Sequence, residues 1–333
     1  MGTISPVQLE RHEDMTAPSS TPTRNQPGPV NSVSGAPSAA PLSTGSKLLN
    51  LVQRLVSSTL LVGLVVSTLF WWPLWTFPVV MCLFVTLALY EFFTMVRHRG
   101  ILVHRLLNIV LGLIFTSLVA WRSLIEPGLM PTPILGQGAT AISWMWDLFW
   151  PATIVIIFIR QLMRENTFEA LGGLATTLFG LAYIAALFSY FFYIRAMDAH
   201  RGAWLVLYLI LVTKMGDVGA YVTGNLLGRH TLIARISPRK TVEGFVGAVI
   251  FSMVTAVWAR SMLLRPMPLP RLAAMGLFLG FCGQLGDLAE SLLKRDCQIK
   301  DTGRLIPGLG GILDVIDSLL FTAPLFYGIL IYG

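Results

Sequence analysis

The chain has 333 residues, 54% of them hydrophobic and only 12% charged, with a mean hydropathy of +0.69. Soluble domains carry about a quarter charged residues, so a cytosolic enzyme or a secreted domain is excluded, and an all-α polytopic membrane protein is expected. The net charge of +7 does not signal nucleic-acid binding, because the basic residues fall in short loops between apolar stretches and not on one continuous face.

Residues 1–46 hold seven of the nineteen prolines, mixed with Ser, Thr, Gly and Ala. They lack an apolar periodicity and read as a disordered cytosolic tail, without the basic start and following apolar run of a secretory signal. Nine stretches long enough for a hydrocarbon core of about 30 Å then follow, at approximately 50–72, 74–94, 103–121, 143–162, 170–194, 203–224, 242–263, 272–290 and 312–332. The first two are joined at Trp71-Trp72-Pro73, and the Trp144 to Trp150 region reads equally well as interfacial. Residues 47–200 thus form an N-terminal set of helices, and 201–333 a C-terminal region with two polar loops. With alternating spans, a cytosolic N-terminus puts seventeen Lys and Arg on the cytosolic side and six on the other, leaving Lys214 inside a span. The bias predicts N-in, C-out, with both polar loops facing the cytosol. Three cysteines, Cys82, Cys282 and Cys297, have no metal-ligand spacing and build no disulfide framework.

Ionisable groups embedded in apolar spans carry the chemical information, since each costs roughly 2.5–3.5 kcal/mol at a helix centre on insertion scales. In the sixth span Lys214 and Asp217 are three apart on one face, where a mutual ion pair is the simplest reading. In the eighth, Asp287, Glu290, Ser291 and Lys294 form a polar stripe toward the cytosolic end. The ninth places Asp314 and Asp317 in its first turns, where the helix dipole alone favours carboxylates. The assumed topology brings these groups to one membrane face. Carboxylates at that density repel unless a cation or protons hold them, and hard oxygen ligands suit Mg²⁺ bridging to a phosphate. Between the last two spans, Lys294, Arg295, Lys300 and Arg304 supply positive charge, and Gly308, Gly310 and Gly311 permit close backbone approach before a helix N-terminus. The other polar loop offers Arg229, Arg235, Ser237, Arg239 and Lys240. That composition suits phosphate handling. His230, at the end of this basic loop, reads as solvated or phosphate-contacting before it reads as a general base.

Taken together, Ser291-x-Leu293-Lys294-Arg295, Lys300-Asp301-x-Gly303 and Ile306-Pro307-Gly308-x-Gly310-Gly311-Ile312-x-Asp314-x-Ile316-Asp317 resemble the C-terminal signature of phosphatidate cytidylyltransferases. The similarity extends to Asp217-x-x-Ala220-Tyr221-x-x-Gly224, to Gly228-Arg229, to Ser237-Pro238-x-Lys240-Thr241-x-Glu243-Gly244 and to Gly283-Gln284-x-Gly286-Asp287-x-x-Glu290-Ser291, covering roughly residues 200 to 333. Leu309 and Val315 stand where the family usually has His and Arg, and Val242 where Trp is common. The resemblance implies cytidylyl transfer from CTP to phosphatidate, giving CDP-diacylglycerol and pyrophosphate, with Mg²⁺ as cofactor. Asp287, Lys294 and Asp314 are then the expected catalytic residues, and Asp287 and Asp314 the expected metal ligands, with Asp317 and Glu290 next. Asp217, Ser237, Lys240, Ser291, Arg295, Lys300, Gly310 and Gly311 are expected to bind substrate. The rival readings are a CTP-dependent polyprenol-type kinase and a non-catalytic transporter gated by Lys214 and Asp217. A bacterial inner membrane is the expected location, with no nucleic-acid partner. A homodimer is compatible with such a bundle, although no residue argues for it.

Overall fold

A computed structural model of the chain describes residues 44–125, 143–164, 170–303 and 310–332. The expected tail, Arg304 to Leu309 of the signature loop, and the side chains of Trp144 and Trp146 lie outside the described residues. Within them nine helices follow one another: α1 (Thr44–Phe70), α2 (Thr76–His98), α3 (Arg105–Ile125), α4 (Ser143–Leu162), α5 (Ala170–Ala196), α6 (Gly202–Leu227), α7 (Val242–Trp258), α8 (Leu269–Asp296) and α9 (Ile312–Tyr332). The α2, α3, α5, α6, α8 and α9 helices are long and apolar enough to cross a membrane, and α1, α4 and α7 contribute shorter apolar helical segments. The protein is therefore an integral membrane protein.

Two local features depart from the expected pattern. The loop after α6 is not irregular: Thr231–Ile233 (β1) and Ser237–Thr241 (β2) pair antiparallel, Ile233 opposite Ser237 and Thr231 opposite Thr241. Its charged, turn-forming sequence excludes it from the apolar bundle, and the hairpin satisfies its backbone locally. The seventh span ends at Trp258 and not near 263, giving way to a 3-10 turn at Arg260–Met262. Arg260 stops the apolar run there, and Pro268 and Pro270 then set the entry to α8.

Packing is tightest among α6, α7 and α8, where small side chains let the backbones approach. Ser252 on α7 fills the space left by Gly216 on α6 and Gly280 on α8, and donates from Oγ to the Val212 carbonyl at 3.0 Å. Around this seam lies an aromatic core that includes Phe77, Phe92, Phe188, Phe191, Tyr208 and Phe326. Leu83, Ile114, Val155 and Val254 point outward, as a bundle solvated by lipid requires. The fifth span contains a π-helical segment, Leu181–Ala186, and α2 is tied to the second half of the chain by an ion pair between Arg99 and Asp296 at the end of α8.

Candidate active site

The stripe on α8 forms as its spacing dictates, with Asp287, Glu290, Ser291 and Lys294 sharing one face. Gly286 lets α9 pack directly against it, because any Cβ there would press on the backbone of Asp317 and Ser318. The close approach delivers Asp317. Asp287, Glu290 and Asp317 each offer a carboxylate oxygen, all within 4.8 Å of one another. Glu290 is fully buried, and its Oε1 has no hydrogen-bond partner among the described residues. An unsatisfied buried polar atom costs about 1–3 kcal/mol, more when charged, and three adjacent carboxylates repel most strongly where water is scarce. This donor set fits a divalent cation with a preference for hard oxygen ligands.

Three lysines surround the trio. Lys240 of β2 approaches Asp287 Oδ2 at 2.7 Å. Lys294 donates to Glu290 Oε2 at 2.8 Å and to Asp314 Oδ1 at 2.7 Å. The expected pair on α6 is also present, and it is part of a larger network: Lys214 donates to Asp217 Oδ2 at 2.9 Å, to the Val315 carbonyl at 2.8 Å and to Ser318 Oγ at 3.0 Å. Gln284 Nε2 lies 3.5 Å from Asp217 Oδ1, which links α8 to the same network.

Asp314, expected beside Asp287 around one ion, borders the trio and shares Lys294 with Glu290. Three residues along a helix leave Asp314 and Asp317 about 60° apart around its axis, enough to send them to different partners. Asp314 Oδ1 accepts from Lys294, while Oδ2 accepts from the Gly311 N–H at 2.8 Å and more weakly from the Thr302 N–H at 3.4 Å. It therefore orients the lysine and closes the signature loop onto α9. Gly310 allows this closure with φ of +100°, and a Cβ there would crowd Asp314 Oδ2.

A residue that the sequence reading passed over completes this corner. Glu91, buried on α2, accepts from the Ile312 N–H at 3.0 Å and from the Leu313 N–H at 2.9 Å, so a carboxylate from the N-terminal half caps α9. Gly303 and Gly311 both stand where a Cβ would collide with that carboxylate. Glu91 is the sole acid of α2, and an ionisable group inside an apolar span was the available signal.

The remaining expected substrate-binding residues spread outward from the trio. Ser237 is half-buried at the start of β2, Ser291 is buried on α8, and Lys300 is exposed beyond the end of α8. Arg295 already serves the backbone: Nε donates to the Ile236 carbonyl at 3.1 Å and an Nη to the Ile299 carbonyl at 3.3 Å, fastening the hairpin turn to α8. His230 is engaged by Glu243, with Nδ1 2.7 Å from Oε1, while Glu243 Oε2 accepts from the Arg229 and His230 N–H groups. A cavity of about 390 Å³ runs between α1, α2, α5, α6 and α9. Val65, Phe84, Phe191 and Leu319 are among its apolar walls, and Lys214, Asp217 and Asp314 form its charged end.

The profile of the cytidylyltransferase family matches residues 52–332. The chain belongs to that family. A phosphatidate cytidylyltransferase of Bacillus subtilis (strain 168) is 37% identical over 202 residues, 61% of this chain and 74% of its own. One from Synechocystis sp. is 33% identical over 300 residues, 83% of this chain and 94% of its own. The uncharacterized protein YnbB of Escherichia coli (strain K12) is 40% identical over 159 residues, 46% of this chain and 50% of its own. The family match begins in α1 and so extends well beyond residues 200–333. In this cytidylyltransferase-family protein the first half is more than a set of apolar anchors, since α2 supplies the cap of α9.

Proposed function

We propose that the protein transfers the cytidylyl group of CTP to phosphatidate, forming CDP-diacylglycerol and pyrophosphate. One structural observation carries the reading: an apolar cavity between helices ends at charged groups that adjoin the carboxylate trio. Such a cavity suits a lipid whose acyl chains stay among the helices while its phosphate reaches the charges. The names of the Bacillus and Synechocystis relatives point to the same reaction. The excess of basic residues in the two polar loops supports a site facing the cytosol, where CTP is, and a bacterial inner membrane as the location.

A phosphate monoester has a second pKa of about 6, so the attacking oxygen of phosphatidate is already largely anionic near neutral pH. It forms a bond to the α-phosphorus of CTP as the bond to the β-phosphate bridge breaks, and the electron pair leaves with pyrophosphate. No strong base is required of the protein. Its task is to bring two polyanions together and balance their charge. Asp287, Glu290 and Asp317 would hold Mg²⁺, which when bound supplies Lewis-acid neutralisation of phosphate charge. Lys240 and Lys294 stand ready to meet phosphate oxygens, each already tethered to an acid. Lys214 brings positive charge to the backbone of Val315, where the family more often carries an arginine side chain.

Purified protein in lipid nanodiscs, given phosphatidate, Mg²⁺ and CTP labelled in the cytosine, is expected to place label in the lipid fraction. Lipid labelled instead from the γ-phosphate would show a kinase, and no transfer of either label would leave a non-catalytic protein. Lys214→Met is expected to lower kcat/KM by at least about 100-fold, on the scale of losing one preorganised electrostatic contact. It also leaves Asp217, whose side chain is 32% exposed, without its cation, and a partly exposed pair contributes about 0–1 kcal/mol. The double variant Lys214→Met with Asp217→Asn separates the two effects. It should recover thermal stability and remain inactive, whereas recovered activity would show that the pair is structural only.

A further inference from the structure

Tyr183 belongs to the π-helical segment of α5, far from the signature residues in sequence. π-Turns are uncommon and recur at functional sites. The side chain is only 6% exposed. Its ring stacks on Phe179 with centroids 5.4 Å apart and meets Phe321 of α9 edge-on at 6.3 Å. Phe321 lies one helical turn beyond Asp317, so this contact brings the tyrosine to the side of α9 that bears the carboxylate.

A buried tyrosine ordinarily finds a partner for its O–H, yet the Tyr183 hydroxyl has none among the described residues. The turn of α9 next to Phe321 carries Asp317, a member of the trio. Glu290 Oε1 is a second buried and unpartnered atom of the same trio. Two helices from opposite halves of the chain thus each leave a buried oxygen without a partner around one group of acids.

We propose that Tyr183 is a further positioning residue of the cation site, its hydroxyl hydrogen-bonding a water carried by a divalent ion that Asp287, Glu290 and Asp317 hold. The inference rests on the metal reading given above and deepens it. Mg²⁺ gives up its waters reluctantly and keeps several of them in most sites, so a pocket with three carboxylates needs groups that receive the ion's remaining water shell. A tyrosine oxygen serves without adding charge to a cluster already rich in it. Partners of this kind typically change metal affinity 10–100-fold when removed.

Tyr183→Phe deletes the hydroxyl and preserves the ring. Two readouts on the full-length protein in nanodiscs test its role: thermal unfolding without substrate across a Mg²⁺ titration, and cytidylyl transfer across the same titration. The variant should melt, without Mg²⁺, at the parent's temperature or slightly above it, because an unpartnered buried hydroxyl has been removed. The Mg²⁺ concentration for half-maximal stabilisation should rise about tenfold, the Mg²⁺ dependence of activity should shift alongside it, and the KM for phosphatidate should stay unchanged. An unaltered Mg²⁺ dependence would overturn the inference while leaving the metal site intact. A clear fall in the metal-free melting temperature would also overturn it, by showing that the hydroxyl has a structural partner. If the parent itself gained no stability from Mg²⁺, the metal reading would fall and this inference with it.

Discussion

Asp287→Asn is expected to reduce turnover by about 1000-fold or more, the upper end of what a single electrostatic contact supplies, and to leave the metal-free protein as stable as its parent. Asp287 is the least buried member of the trio and is also the partner of Lys240. Neutralising it removes one of three mutually repelling charges, a gain in stability. The loss is one ion pair whose side chains are 22% and 32% exposed, and partly exposed pairs contribute only about 0–1 kcal/mol. The two effects offset, so the fold should persist while the cation loses a ligand. Thermal unfolding with and without Mg²⁺ checks this directly: the parent should be stabilised by the ion and the variant should not. Near-normal turnover across Mg²⁺ concentrations would falsify the assignment of Asp287. Asp314→Asn makes an informative contrast, because Asp314 acts through Lys294 and the Gly311 N–H. Its turnover should also collapse, but stabilisation by Mg²⁺ should survive.

The second large effect is expected at Glu91, some 220 residues from the groups it holds. Glu91→Ala leaves the Ile312 and Leu313 N–H groups buried without acceptors, at about 1–3 kcal/mol for each, and opens a void beside Gly303 and Gly311. A loss of about 2–6 kcal/mol on that basis is large against the 5–15 kcal/mol stability of ordinary domains. Glu91→Gln is the more discriminating variant. It keeps one acceptor, leaves one N–H unpaired and gives up the charge at the helix N-terminus, a loss of about 1–3 kcal/mol and less than that of Glu91→Ala, so the protein should fold. Because α9 begins at this cap and presents Asp314 and Asp317 within its first two turns, kcat should fall about tenfold, as slight displacement of reacting groups can do, with KM for CTP little changed. Glu91→Asp, one methylene shorter, should lie between the parent and Glu91→Gln if reach matters, and a kcat unchanged in both would show that α9 holds its place without the cap.

Much of this architecture was readable in advance because lipid imposes a simple rule: backbone must be helical and side chains apolar over about 20 residues. The nine stretches therefore reappear as nine helices among the described residues. The polar stripe of α8 was equally legible, since residues at intervals of three and four on one helix share a face whatever surrounds it. Contacts between helices were not. Whether Asp314 or Asp317 joins Asp287 depends on the rotation of α9 about its own axis, which is fixed by Gly286 on one side and by Glu91 on the other. The cap itself spans 221 residues, beyond any local pattern, although the isolation of Glu91 in an apolar helix was visible. Tyr183 carried no comparable mark. A tyrosine in an apolar span is unremarkable, and the π-turn that places it has no signature in composition.

A cavity with oily walls and an ionic terminus also bears on what such an enzyme would refuse. Water-soluble phosphomonoesters, such as sugar phosphates, offer the same anion but nothing to wet the walls favourably, so occupying the terminus alone would leave the passage poorly filled. Discrimination on the proposed reading would then come from partitioning as much as from the head group itself. Depth of immersion in the bilayer would act as the selector, keeping the nucleotide from being spent on metabolites of the aqueous phase.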